Sequence, residues 1–114
     1  MKNHFIANVL LATSAAIFMT TTATAGVDAE AAKKLAKRSE CLKCHAVDKA
    51  KVGPAYKNVA SKYKGKADAE GTLVKFITTG PKIKLDDGKE QSHMIVDTKD
   101  MGEIKNLVGW ILSQ

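Results

Sequence analysis

The chain has 114 residues, with 18 Lys+Arg against 12 Asp+Glu and a formal net charge of +6. That length suits one small domain, whose core is marginal unless something is added to it. The positive charge is mostly lysine. With no arginine cluster, no aromatic stacking platform and an export signal at its start, the chain does not read as a nucleic-acid module.

Lys2, the mostly apolar run Phe5 to Met19 and the small residues ending Ala23-Thr24-Ala25 read as an export signal, cleaved before Gly26. The apolar run is about fifteen residues, short of the roughly twenty that span a bilayer. The expected division is therefore 1–25 as signal peptide and 26–114 as one periplasmic domain, with no stable membrane insertion after cleavage. Loss of Lys2 leaves 17 Lys+Arg against 12 Asp+Glu.

Four helices and almost no strand are expected, an all-α fold. The first runs from Asp28, its cap, to Lys43, with Ala32, Leu35, Ala36 and Ser39 on one face. The second, Ala55 to Lys64, follows Gly53-Pro54. The third, Asp68 to Thr79, is stopped by Gly80-Pro81. A long connection, Gly80 to Val96, holds a turn signal at Asp87-Gly88 and the tripeptide Ser92-His93-Met94. The last helix opens on Asp100-x-x-Glu103, which resembles a capping box, and carries Ile104, Leu107, Val108 and Ile111 in one stripe. Gly109 within it predicts close approach of another backbone, with the first helix as neighbour.

Near the end of the first helix stands Cys41-Leu42-Lys43-Cys44-His45, which reads C-x-x-C-H. Two thiols one turn apart suit addition to the two vinyl groups of one porphyrin. The following imidazole is placed to bind the iron from one face. A thioredoxin-like pair would want a strand upstream, and none is expected. Structural zinc would need four ligands, and the mature chain adds only His93. A Cys41–Cys44 disulfide would close a trivial loop. One covalent haem c is the expected cofactor, and the chain without it is expected to be largely unfolded.

The chain resembles the class I cytochromes c, in particular the short monohaem electron carriers of the bacterial periplasm. The resemblance rests on Cys41 to Ala46, on Val52-Gly53-Pro54-Ala55-Tyr56-Lys57 and on the ending Leu107 to Gln114. It implies four helices wrapped around the haem, with the N- and C-terminal helices packed together. It implies that the Pro54 carbonyl accepts a hydrogen bond from the His45 ring, fixing the ligand's orientation. It also implies a methionine as second axial ligand in the loop before the last helix. Met94, sixteen residues before Trp110, fits that place; Met101 and His93 are the alternatives. Two family features are missing from this loop: prolines directly after the ligand methionine, and a tryptophan.

With iron held from both faces, the expected function is one-electron transfer through an exposed haem edge, by a monomer that is not an enzyme. The alternative is a haem-based gas sensor or substrate-binding subunit whose distal ligand is labile. Lys43, Lys49, Lys51 and Lys57 surround the C-x-x-C-H segment, so redox partners with acidic docking surfaces are expected.

Overall fold

The computed structural model describes residues 26–114; the signal-peptide reading of residues 1–25 lies outside them. Four helices carry the fold: α1 (Ala29–Arg38), α2 (Tyr56–Tyr63), α3 (Ala69–Thr79) and α4 (Met101–Leu112). A small antiparallel hairpin, β1 (Lys82–Lys84) and β2 (Glu90–Ser92), lies between α3 and α4. The expected all-α architecture is present. No helix among the described residues is long and apolar enough to cross a membrane.

α1 begins as its sequence indicates, with the Asp28 carboxylate accepting from the Ala31 N–H at 3.0 Å. It ends five residues earlier than expected. Glu40 adopts φ +61°, the left-handed conformation that usually falls to glycine at a helix end. The chain therefore leaves the helix axis, and Cys41–Lys43 form a separate 3-10 turn. The C-x-x-C-H segment follows α1 on this turn instead of riding on the helix.

The hairpin is the second departure. Its register pairs Lys82 with Ser92, Ile83 with Gln91 and Lys84 with Glu90. The expected turn at Asp87-Gly88 closes it, with Gly88 at φ +82° and the Leu85 N–H donating to the Lys89 carbonyl at 2.8 Å. Neither strand shows an alternating apolar pattern, because both lie largely exposed and bury no face. The opposite charges of Lys84 and Glu90 face one another across the ladder.

The core forms where the first and last helices meet. Ala32, Leu35 and Ala36 of α1 are buried, as are Ile104, Leu107, Val108 and Ile111 of α4. Tyr56 of α2 adds an edge-on contact to Trp110, with ring centroids 5.6 Å apart. Full burial of one leucine is worth about 1.5–3 kcal/mol. The exposed Arg38–Glu103 pair between the same helices is worth about 0–1 kcal/mol. Apolar packing, with small alanines on α1, therefore holds this junction.

Gly109 does permit a close approach, but to a side chain. A methyl there would lie 3.0 Å from Val27 Cγ2, in the segment that enters α1. Beside it, Asp28 and Asn106 exchange two hydrogen bonds of 2.8 Å across 78 residues. The capping box is half formed. Asp100 accepts from the Glu103 N–H at 3.0 Å, but the Asp100 N–H donates to the Thr98 hydroxyl. The Glu103 carboxylate is engaged by Arg38 and Thr98 instead.

Candidate haem site

The 3-10 turn brings the chemical groups of the C-x-x-C-H segment together. Cys41 is its hub: its carbonyl accepts from the Cys44 N–H at 3.2 Å and the His45 N–H at 3.0 Å. Neither cysteine is in a disulfide, and both are half-buried. Burial pushes the Cys41 thiol above its ordinary pKa. Burial, and then the neighbouring Cys41 sulfur, likewise raise the Tyr56 phenol.

Residues 46–57 fold back over this turn. Gly53 N–H donates to the Cys44 carbonyl at 2.8 Å, Tyr56 N–H to Ala46 at 2.9 Å, and Lys57 N–H to Val47 at 3.1 Å. The Lys51 ammonium donates to the Leu42 carbonyl at 2.8 Å. The outcome is a fixed seat for His45. Its Nδ1 lies 2.7 Å from the Pro54 carbonyl oxygen. A carbonyl only accepts, so Nδ1 carries the hydrogen and Nε2 keeps its lone pair. On another side the ring rests on Gly53, where a methyl would fall 2.6 Å from Cε1. Tyr56 stacks nearby, with centroids 5.1 Å apart and planes 19° from parallel.

Two thiols, an imidazole with one nitrogen engaged and the other available, and a glycine cradle fit a covalently held haem. Gly53 enters the sequence expectations only as part of the Val52 to Lys57 segment. Its signal was the glycine directly before Pro54, a residue type that marks close backbone approach. Tyr56 belongs to the same segment, but nothing in the order of residues shows its stacking on the imidazole.

The opposite wall comes from the connection after the hairpin. His93 N–H donates to the Pro81 carbonyl and Val96 N–H to Ile77, both at 2.9 Å. Asp97 N–H donates at 2.9 Å to the hydroxyl of Ser39, which is 3% exposed. Val96 is buried, whereas Met94 is 47% and Ile95 56% exposed. The ring brought towards His45 is that of His93, with centroids 6.1 Å apart. Burial, the largest influence, holds the His93 imidazole below its ordinary pKa; the Met94 carbonyl acts the other way. Met101 is half-exposed and lines an open groove of about 470 Å³ with Thr78, Ile95 and Ile104, a groove that includes no residue of the C-x-x-C-H segment.

A model of the cytochrome c family matches residues 29–114, and the chain belongs to that family. Its cofactor is one covalently attached haem c, with Cys41 and Cys44 in the attachment sequence. Its relatives are the small class I monohaem cytochromes. Over 89 residues the chain is 37% identical to cytochrome c-551 of Pseudomonas aeruginosa, covering 78% of this chain and 82% of the relative. Over 78 residues it is 42% identical to cytochrome c-551 of Allochromatium vinosum, covering 68% and 80%. Among solved structures it is similar to the class 1 cytochrome MtoD from Sideroxydans lithotrophicus ES-1, with 54% identity and a TM-score of 0.75 over 77% of this chain and 97% of that one. Cytochrome c552 of Nitrosomonas europaea follows at 33% identity and a TM-score of 0.56, covering 71% and 96%.

Proposed function

We propose that this protein is a monomeric, periplasmic one-electron carrier, not an enzyme, whose haem iron is held by His45 and Met94. The observation that carries the reading is the double restraint on His45: Gly53 beneath the ring and Pro54 behind Nδ1. A ligand so held keeps its place as the charge on the metal changes, which keeps the structural cost of each electron small. The haem supplies iron that alternates between ferrous and ferric states. Thioether ligation and an apolar surround favour the ferrous state, so the potential is expected towards the upper range for haem proteins.

Met94 suits the distal position because its segment is anchored on both sides, by His93 to Pro81 and by Val96 and Asp97 to Ile77 and Ser39. Those bonds restrain a loop in which no proline directly follows Met94. Partners are redox proteins with acidic docking surfaces, reached through brief, small contacts.

A redox titration with spectra of both states tests the reading. A reversible one-electron wave, a sulfur-to-iron charge-transfer band in the oxidised form and an unchanged reduced spectrum under carbon monoxide are expected. Ready formation of a carbon monoxide adduct would favour the sensor. Met94→Ala should abolish the charge-transfer band and lower the potential, and Met101→Ala should do neither.

A further inference from the structure

The placement of His93 is not used by a carrier with His45 and Met94 on the iron. Its ring centroid stands 6.1 Å from that of His45, with planes inclined by 48°. A metal–imidazole bond of about 2 Å puts a ring centroid about 3 Å from the metal, so two imidazoles on opposite sides of one ion stand roughly 6 Å apart. The inclination is no obstacle, since each ring can turn about its own metal–nitrogen bond.

The tautomer also fits. His93 Nδ1 lies 2.8 Å from the Met94 carbonyl oxygen, so it carries the hydrogen and leaves the Nε2 lone pair available. This repeats the arrangement of His45 with Pro54, and histidines that bind metals are oriented in this way. The ring is steadied by the edge-on contact of Phe76, 4.8 Å between centroids. Its backbone is steadied by the Pro81 carbonyl and by Gly80, where a methyl would fall 2.7 Å from the His93 carbonyl oxygen. Met94 is the next residue and half-exposed.

We propose that His93 is a reserve ligand: when the Met94 sulfur leaves the iron, His93 Nε2 takes the vacated position. The proposal rests on Met94 as the resident ligand. One sulfur–iron bond breaks and one nitrogen–iron bond forms. The proton stays on Nδ1, and no electron is transferred. The exchange keeps the iron closed to external ligands and lowers its potential, because imidazole favours the ferrous state less than a thioether does.

The test uses the haem-loaded full chain as wild type, Met94→Ala, His93→Ala and the double variant. Ferric absorption and electron paramagnetic resonance are recorded, with carbon monoxide titration of the ferrous forms. Wild type and His93→Ala should both show the sulfur-to-iron band. Met94→Ala should lose the band yet stay low-spin with a bis-imidazole signal, and bind carbon monoxide at least tenfold more weakly than the high-spin double variant. A Met94→Ala protein as high-spin and as open to carbon monoxide as the double variant overturns the proposal. Met94→Leu, closer in volume, carries the same comparison if the alanine variant matures poorly. A wild type without the band that turns high-spin on His93→Ala alone overturns the Met94 reading itself, since His93 is then the resident ligand.

Discussion

The two walls of the site are built differently. The wall carrying His45 is made by one stretch, residues 41–57, whose hydrogen bonds link positions about ten apart. The wall carrying His93 and Met94 is hung from three separate elements: Pro81 beside the hairpin, Ile77 in α3 and Ser39 at the end of α1. Local closure costs little chain entropy and is written as a compact signature. Distant tethers depend on the whole fold being in place. The first wall should therefore be fixed early and tolerate no intrusion, and the second should be the one that yields.

The largest effect is expected where the rigid wall is made to give way. Gly53→Ala places a methyl 2.6 Å from a His45 ring atom, and that ring is already held by Pro54. Either the ring tilts away from its axial direction or the 46–57 loop opens. Overpacking of this kind costs about 1–3 kcal/mol. The yield of haem-bearing protein should fall severely, and what survives should show a shifted potential. Wild-type yield and potential would mean that the seat is softer than its contacts imply.

A smaller effect is expected from cutting one tether of the yielding wall. Ser39→Ala leaves the Asp97 N–H without its partner, a loss of about 0.5–1.5 kcal/mol for a part-buried hydrogen bond. Denaturant unfolding should report that loss. The comparison is sharpened by a second readout: imidazole added to the ferric protein should bind more tightly in Ser39→Ala, because the loop detaches more easily. Ser39→Thr, which keeps the hydroxyl, should restore both. Loss of stability with unchanged imidazole affinity would make Ser39 a helix-end residue only.

This contrast also explains what could be read from the residues in order. Cys41, Cys44, His45 and Pro54 fall within fourteen positions, so the attachment chemistry was legible in the chain, and the apolar stripe of α4 gave the principal core partner. The end of α1 was hidden because Glu40, not glycine, adopts the left-handed conformation. The hairpin was hidden because strands that bury nothing need no alternation. The bond from Ser39 to Asp97 spans 58 residues and leaves no periodic trace. The same holds for His93: its position in the loop was visible, but its approach to His45 depends on where α3 and Gly80 carry the chain.

The charged surface divides along similar lines. Lys43 is paired with Glu40, Lys57 with Asp48, and Lys51 is bonded to the Leu42 carbonyl. Among the described residues Lys49 alone of the four proposed steering lysines has no ion-pair or hydrogen-bond partner. Steering is screened over about 10 Å at 0.1 M salt. Electron transfer to an acidic partner should slow several-fold as ionic strength rises. Lys49→Glu should slow it by a further small factor without loss of stability, whereas Lys57→Glu also disrupts its bond to Asp48. Lys105, paired with Glu70 on α3, is the control expected to matter least. Rates indifferent to salt would leave these lysines as ordinary surface.

The smallest effect concerns the clamp shared by the two walls. Glu103 of α4 accepts from Arg38, just before the attachment turn, and from Thr98, just after the distal segment. The Thr98 hydroxyl, and after it the Arg38 guanidinium, hold its carboxyl below the ordinary carboxylate range. A folded-state pKa below the unfolded value adds stability that is fully present above the unfolded value and is lost as pH falls through the folded one. The wild type should therefore lose this contribution progressively as pH falls from the ordinary carboxylate range through the lower folded-state value. Glu103→Gln should be slightly less stable near neutrality and should lose less on acidification. The group is exposed, so the difference is expected to be small and to shrink with salt. Thermal unfolding across an acid pH series, with the charge-transfer band followed in parallel, separates two roles. If the variant loosens the distal ligand as well as flattening the acid limb, the clamp links both walls; if the acid limbs coincide, the pair contributes nothing to either.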